Sequence, residues 1–408
     1  MSHSEVHKPV DITIPASSLW AKLPILGGAL AVVGLGATLA AAQGEHGGRA
    51  MFSYLWAFVA MLTICLGALG FVLIDHAVRA QWSGVIRRIA ETMAATLPLF
   101  ALLLIPILTI GFHPLYPWTH EHDEVLDKKR WFLTNGFFFG RAIFYVLTWT
   151  ILGTWLYRLS VRQDSLGQDL AQRDRITGTL RKISAVGIFF WALTLSFAAI
   201  DWVMSLQPHW YSTIFGVYFF AASILAFFSL TTLFAMGLQK SGVLKDAITT
   251  EHYHDLGKYV FGFTVFWAYI AFSQFILIWY ANIPEETIFY MVRLEGGWKA
   301  LSYALPVLHF FLPFLFLLSR HIKRNRTLLA IGCLWMLAMH LFDLYWLIMP
   351  NAVAEGEKAV FAPTWTDATA ILGMLGAFLA VYGAFQKKNA VVCINDPRLP
   401  DSLVHENF

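Results

Sequence analysis

Cysteine is scarce in this chain, with three residues among 408, at positions 65, 333 and 393. They form no Cys-x-x-Cys or Cys-x-x-Cys-His motif, which excludes an attached c-type haem and an iron–sulfur cluster held by this chain alone. The sequence also has no phosphate-binding loop and no Gly-x-Gly-x-x-Gly between a strand and a helix, so nucleotide chemistry is not supported. We therefore expect no metal site and no covalently bound cofactor in this chain.

Charged residues are also few, at 13% of the chain against 58% hydrophobic residues. A water-soluble domain could not bury so much apolar surface in one core, so the bilayer must be the solvent. A length of 408 residues holds about ten spans of about 20 residues and leaves no room for a large soluble domain. The net charge of +3 comes without a basic and aromatic array, which excludes nucleic acid as a partner. The sequence predicts an all-α, polytopic integral membrane protein with about ten transmembrane helices.

Long apolar runs locate these helices, and four prolines within two of the runs predict kinks, because proline removes a helical donor. The prolines are Pro98 and Pro106 in the third run and Pro306 and Pro313 in the eighth. The predicted helices cover residues 23–42, 51–74, 85–112, 135–157, 183–204, 211–238, 256–282, 300–319, 327–349 and 364–386.

Lysine and arginine are concentrated in every second loop, for example between Arg158 and Lys182. The other loops mix them with acids, so the positive-inside rule predicts that both termini are cytoplasmic. The chain then divides into a cytoplasmic N-terminal tail (1–22), a ten-helix transmembrane domain (23–386) and a cytoplasmic C-terminal tail (387–408). No cleaved signal is expected at the N-terminus. We expect both tails to be disordered or to lie on a partner.

Ionisable residues inside the predicted spans are the strongest functional signal, because a charge in hydrocarbon is costly and usually serves ion or proton handling. They fall into two groups by depth, which is the arrangement that two proton half-channels with an apolar middle would need. The candidates on the outer side are Arg141, Asp201, His309, His340 and Asp343. The candidates on the cytoplasmic side are Asp75, His76, Glu91, His254 and Asp255.

His340 and Asp343 lie three residues apart on one helix, so a carboxylate could orient an imidazole there. His309 lies at a similar depth, about 13 Å from the outer end of its span. Three interpretations stay open for the histidines: a proton relay or quinol contact, a structural hydrogen-bonded pair, or axial ligation of a b-type haem. Arg141 is expected to pair with Asp201 or Asp343, as a structural or a functional ion pair.

The turn between the fifth and sixth spans, residues 201–216, combines an acid, an imidazole, indoles and hydroxyls. It has a structural interpretation, as an aromatic belt with a capped turn at the bilayer edge. It also has a functional one, because a quinone headgroup needs a proton-exchanging group and aromatic walls. The quinol-contact candidates are Asp201, His209 and Trp210.

Three strings carry a resemblance to a known family. They are Asp-Trp-x-Met-Ser-Leu-x-Pro-His-Trp-Tyr-Ser-Thr-x-Phe-Gly at 201–216, Tyr-His-Asp-Leu-Gly-Lys at 253–258 and Ala-Asn-Ile-Pro-Glu-Glu-Thr at 281–287. Together with the ten-span layout, they resemble the ActF-like integral membrane subunit of Alternative Complex III, which is similar to the polysulfide reductase type of membrane anchor.

The resemblance implies a subunit of a quinol:electron acceptor oxidoreductase in the bacterial cytoplasmic membrane. It implies partner subunits: a sister ten-helix membrane subunit, an iron–sulfur subunit and multihaem c-type cytochromes, which carry the haem c and the iron–sulfur clusters. It allows a terminal oxidase as a further partner, and bound quinol or menaquinol and lipid. In this family the better-supported quinol site lies in the sister subunit, so this chain is expected to contribute proton conduction or structure. The alternatives are a stand-alone secondary transporter or channel and a purely structural membrane anchor.

Overall fold

The computed structural model describes residues 12–45, 47–121, 123–167, 169–245, 247–352 and 359–407. Within these ranges all regular secondary structure is helical, and ten helices are long and apolar enough to span a membrane. The prediction of an all-α, polytopic membrane protein is thus confirmed. The spans are α1 (Leu19–Ala41), α2 (Gly47–Val78), α3 (Arg87–Leu108), α4 (Asn135–Asp164), α5 (Leu170–Leu206), α6 (Phe215–Lys240), α7 (Thr250–Ala281), α8 (Trp298–Leu318), α9 (Arg326–Asn351) and α10 (Trp365–Lys388).

The helix α5 begins much earlier than its apolar run predicts. Its first residue is Leu170, where the sequence predicts residue 183, and the side chain of Asp169 caps it by accepting from the Gln172 N–H. The added residues are rich in arginine, lysine and leucine, which are good helix formers although not apolar enough to lie in lipid. Hydropathy finds the membrane part of a helix and misses a polar extension of this kind.

Three of the four prolines predicted to kink α3 and α8 lie at irregular turns, namely Pro98, Pro306 and Pro313. The helix α3 consists of Arg87–Ala94 and Leu97–Leu108, with Pro98 in the first turn of the second piece. In α8 the segment Val307–Phe311 is π-helical and lies directly after Pro306. Such π-turns are frequent at functional sites, because they displace one residue from the regular helical register. Here the displaced turn carries His309, whereas Pro106 lies inside an unbroken helix.

Both described ends of the chain lie at the same end of the bundle, where the Val391 N–H donates to the Ile12 carbonyl oxygen at 2.9 Å. We call this the terminal end and the opposite one the distal end. The first and last spans pack most closely, because Gly34 of α1 lies against Gly373 of α10 and a Cβ atom at Gly34 would come within 2.6 Å of that backbone. Small residues allow such close approach in membrane bundles.

The helix α2 forms the centre of the bundle. In its most apolar stretch 94% of the residues are buried, and the corresponding share in α6 is 83%. The helices α1, α7 and α8 are mostly exposed outward, as expected for lipid-facing or partner-facing spans. The buried ionisable groups on these two helices, such as Asp75 and Tyr218, therefore need partners from neighbouring helices.

The described C-terminal segment, residues 389–407, packs into the terminal end of the bundle. Val392, Cys393 and Asp396 are buried, and the short helix Leu399–Leu403 places Ser402 against the Trp82 carbonyl oxygen at 2.7 Å. The predicted disordered or partner-draped arm is wrong here, because Asp396 and Arg398 complete an ion network with residues of α2 and α3. The first eleven residues, which are half of the predicted N-terminal tail, lie outside the described residues.

Candidate functional site

Many of the buried ionisable residues, together with their hydrogen-bond donors, fall into three groups along the bundle, which we name by their members. The central cluster consists of Tyr218, Trp267, His309, His340 and Asp343. The distal pair consists of Arg141 and Asp201. The terminal network consists of Asp75, His76, Arg87, Arg88, Glu91, Asp164, Asp396 and Arg398.

Asp343 is the acid of the central cluster and is fully buried, at 0% exposure. The Tyr218 hydroxyl donates to one of its oxygens, and the Trp267 indole N–H donates to the other at 3.1 Å. No cationic side chain forms an ion pair with it among the residues that the structure describes. Two neutral donors stabilise a carboxylate only in part, whereas a cationic partner would favour its charged form.

His309 packs on Trp267, the residue whose indole N–H donates to Asp343. Its ring stacks on the Trp267 ring with a centroid distance of 3.7 Å and an angle of 25°, and it is 1% exposed. Neither of its ring nitrogens has a hydrogen-bond partner in the described part of the chain. The π-turn of α8 thus delivers an imidazole with free proton-binding atoms to the Asp343 site.

His340 points toward α2 and not toward Asp343. Its Nε2 atom lies 3.1 Å from the Thr63 hydroxyl oxygen and 3.3 Å from the Ala60 carbonyl oxygen. Because a carbonyl oxygen can only accept, Nε2 carries the hydrogen in this contact. Asp343 accepts from α6 and α7 instead, since Tyr218 and Trp267 bring neutral donors to it. The Nδ1 atom of His340 is buried without a hydrogen-bond partner among the described residues.

A small cavity adjoins the Thr63 side of His340, between α2, α5 and α6. Its volume is about 20 Å³ and its walls include Thr63, Trp202 and Phe219. A volume of that size admits about one water molecule. The Trp202 indole N–H is buried there without a hydrogen-bond partner among the described residues. The cavity lies between the central cluster and the distal pair, which is next to Trp202 in sequence.

The distal pair joins α4 to α5. Arg141 donates to both oxygens of Asp201 at 2.8 Å, and the Tyr145 hydroxyl donates to Asp201 at 2.7 Å. A third guanidinium donor bonds the Phe132 carbonyl oxygen at 2.9 Å, and the guanidinium lies 3.8 Å from the Phe132 ring centroid. Of the two predicted partners of Arg141, the structure selects Asp201. The pair is neutral overall and well satisfied, which is what a structural clamp requires.

Removing one member of this pair is expected to destabilise the protein far more than removing both. Asp201→Ala leaves a buried guanidinium without its carboxylate, which should lower the free energy of unfolding by about 3–5 kcal/mol. The double variant Arg141→Leu/Asp201→Leu should recover most of that loss, because no unpaired charge remains. Thermal unfolding in detergent measures both, with Asp127→Ala in the half-exposed pair of Asp127 and Arg130 as the mild control. A double variant as unstable as the single one would contradict the structural role.

The quinol-contact candidates each have different partners. Asp201 is held by Arg141, and His209 is 41% exposed and contacts Asp123. The Leu126 N–H and then His209 hold the pKa of Asp123 below its usual value. Trp210 is buried and stacks on Phe289 with a centroid distance of 4.1 Å. The turn therefore does not bring an acid, an imidazole and an indole together around one ring-shaped space.

Arg293, which the sequence analysis did not single out, is buried in the distal end at 1% exposure. It donates to the carbonyl oxygens of Trp346, Leu347 and Phe289 at 3.1, 2.7 and 2.7 Å. No carboxylate contacts it in the described ranges, and burial lowers its pKa to about 9. Its position in a loop hid it, because a charge outside an apolar run gives no signal of burial.

Arginines organise the terminal network. Arg87 contacts Asp75 at 3.4 Å and Glu91 at 3.1 Å, and it also binds Asp396. Arg88 links Glu91 at 3.0 Å to Asp164 at 2.7 Å. Arg398 joins Asp75 at 3.3 Å, Asp396 at 3.2 Å and the Nδ1 atom of His76 at 3.2 Å. Burial alone would raise the pKa of Asp396, but Arg87 and Arg398 hold it below its usual value. The structure thus brings Asp75, His76 and Glu91 together.

The remaining cytoplasmic candidates, His254 and Asp255, lie at the start of α7, and Asp255 has partners other than the terminal network. Asp255 contacts Lys258 and the Nε2 atom of His405, the latter at 2.6 Å. His254 is mostly buried and its Nδ1 atom has no partner among the described residues. The C-terminal segment therefore covers both acidic sites of the terminal end, since Asp396 and His405 belong to it.

An apolar stretch separates the terminal network from the central cluster. Asp75 and Thr63 both lie on α2, twelve residues apart, which is about 18 Å along a helix. The residues between them carry no ionisable side chain other than the buried thiol of Cys65. Titratable groups near one end, a dry middle and further groups beyond it are the arrangement expected of two half-channels.

The fold and these sites define a class, the polytopic membrane proteins that hold ionisable groups between their helices. The chain matches no known family model and none of the curated proteins with which it was compared.

Proposed function

We propose that this chain is a membrane subunit of a quinol:cytochrome c oxidoreductase, or of one with another periplasmic acceptor, and that it provides proton half-channels and structural support. The family resemblance carried by residues 201–216, 253–258 and 281–287 supports the complex. The terminal end would face the cytoplasm, because the arginine-rich loops lie there. Haem c and iron–sulfur clusters would belong to the partner subunits.

The observation that carries the proton role is the environment of Asp343. A carboxyl group at 0% exposure within a membrane span, bonded to neutral donors alone among the described residues, is costly to keep. A structural role would be met by a charged partner, as in the distal pair. A proton acceptor needs the opposite, namely an environment in which both protonation states are accessible.

The other groups take roles by position. The terminal network, with Asp75, His76 and Glu91, would take protons from the cytoplasm, and His254 and Asp255 form a second acceptor site at the same end. His309 and His340 would exchange protons with the Asp343 region, and the distal pair lies on the release side. The different partners of Asp201, His209 and Trp210 favour a quinol site in a partner subunit, with this chain as a non-catalytic or quinol-contacting part of a translocase.

Copurification tests the complex. Native membranes are solubilised in mild detergent, the tagged chain is isolated, and its partners are identified by mass spectrometry and by a reduced-minus-oxidised spectrum. We expect multihaem c-type cytochromes, an iron–sulfur protein and a second ten-helix subunit in a fixed ratio. A colourless, solitary chain would contradict the proposal and favour a stand-alone transporter or channel.

A further inference from the structure

The terminal network contains one more acidic group than its arginines can neutralise. Counted over the described residues, it joins the carboxylates of Asp75, Glu91, Asp164 and Asp396 to the guanidinium groups of Arg87, Arg88 and Arg398. Four negative charges against three positive ones leave an excess of one negative charge. Most of these groups are buried, and a buried net charge is far more costly than a neutral set.

His76 does not supply the missing positive charge in this arrangement. Its Nδ1 atom lies 3.2 Å from a nitrogen of Arg398, and a guanidinium can only donate. Nδ1 must therefore accept, which leaves the imidazole neutral with its hydrogen on Nε2. That Nε2 atom lies 3.7 Å from Glu91 and has no hydrogen-bond partner among the described residues. His76 is 2% exposed, so this is a deeply buried polar atom aimed at an acid.

One carboxylate of the network differs from the other three. Asp75 accepts from Ser83 through one oxygen and from arginines through the other. Glu91 accepts from Arg87 and Arg88, and Asp396 accepts from Arg87, Arg398 and the Arg398 N–H. Asp164 receives one bond from Arg88 on Oδ2, and its buried Oδ1 atom has no partner in the described part of the chain.

We propose that the terminal network binds one exchangeable proton, and that Asp164 is the group that takes it up. This inference rests on the proposed function only for the use of that proton in turnover. Asp164 ends α4 and its side chain is 14% exposed, whereas those of Asp75 and Glu91 are fully buried. It is therefore the network acid nearest to the aqueous phase. The negative end of the α4 dipole also disfavours a negative charge on Asp164.

A chain of polar side chains leads from Asp164 inward. Arg88 contacts both Asp164 and Glu91, and Ser160 lies one helical turn before Asp164 on α4. The Ser160 hydroxyl lies 3.5 Å from the Cys393 sulfur, which lies 3.6 Å from Glu91. A proton on Asp164 thus has Glu91 as its inner acceptor, and Glu91 faces the Nε2–H of His76. Arg88, Glu91, Cys393 and Asn395 are the groups that face Asp164.

Infrared difference spectroscopy of the purified complex tests the proton directly, through the C=O stretch of a protonated carboxyl group. We expect this band to be present at neutral pH and to shift on exchange into D₂O. In Asp164→Asn its intensity should fall by the contribution of one carboxyl group. Asp367→Asn is the matched control, because Asp367 is held by both donors of Arg49 and by Ser53 and Tyr345. That variant should leave the band unchanged. An unchanged band in Asp164→Asn, or its loss in Glu91→Gln instead, would overturn the inference.

Stability provides a second, independent readout. Asparagine has the shape of a protonated aspartate, so Asp164→Asn should unfold within a degree or two of the unmodified protein, whereas Asp396→Asn should unfold at a clearly lower temperature. An equal loss in both would overturn the assignment. If the band is lost in Asp164→Asn while proton release per electron stays unchanged, the proton site stands and the proposed function fails. If the band does not change in Asp164→Asn, the inference fails, whatever effect Asp343→Asn has on proton release.

Discussion

Arg87→Ala is expected to lower the free energy of unfolding by about 3–5 kcal/mol, the cost of breaking a buried ion pair by removing one partner. Arg87 is fully buried, at 0% exposure, and it forms ion pairs with Asp75, Glu91 and Asp396. Without it, the described part of the network would keep four carboxylates and only two arginines, Arg88 and Arg398. We expect the C-terminal segment to detach, because Arg398 would be the one cationic side chain still in contact with Asp396 among the described residues.

Thermal unfolding in detergent measures the loss, and alkylation of Cys393 measures the detachment. Burial raises the pKa of Cys393, so its thiol should resist alkylation in the unmodified protein and react in Arg87→Ala. Arg158→Ala is the control, since Arg158 is exposed on α4 and such changes usually stay within about 0.5 kcal/mol. Equal stabilities of the two variants would show that the network does not hold the terminal end together.

The ten spans were predictable because the bilayer imposes them. Each span needs about 20 apolar residues with all backbone groups bonded internally, and the runs satisfy this without knowledge of any contact. The C-terminal segment was not predictable in the same way. Asp396 and Arg398 lie in a short polar stretch without periodicity, and their partners Asp75 and Arg87 are about 300 residues away. Nothing in local spacing indicates such a pairing.

The acids and histidines of the candidate site could be predicted from the sequence, but the residues that bind them could not. A lone Asp343 within an apolar run is conspicuous, since charges are rare there. Tyr218 and Trp267 are not, because aromatic residues make up 16% of the chain and any of them could face lipid. The spacing of His340 and Asp343 suggested a pair, yet residues three apart on a helix differ by about 60° in direction. That difference lets one face α2 while the other faces α6 and α7.

Asp343→Asn is expected to have the largest effect on function. The amide keeps the size of the side chain and can accept the Trp267 hydrogen bond, but it cannot take up a proton. If proton transfer passes through Asp343, its rate through this chain should fall by about 100-fold or more, in line with the loss of a positioned acid–base group. Electron transfer in the partner subunits should continue when no proton gradient opposes it. Ser229→Ala is the matched control, because Ser229 is buried on α6 and, among the described residues, bonds only the Leu225 carbonyl oxygen.

Proton release per electron, measured with the assembled complex in sealed liposomes, tests the central claim most directly. The account predicts that Asp343→Asn lowers this ratio, that His340→Ala lowers it as well, and that Ser229→Ala leaves it at the value of the unmodified complex. An unchanged ratio in both Asp343→Asn and His340→Ala, in complexes that still contain every subunit, would contradict proton conduction along α9 and leave this chain a structural anchor.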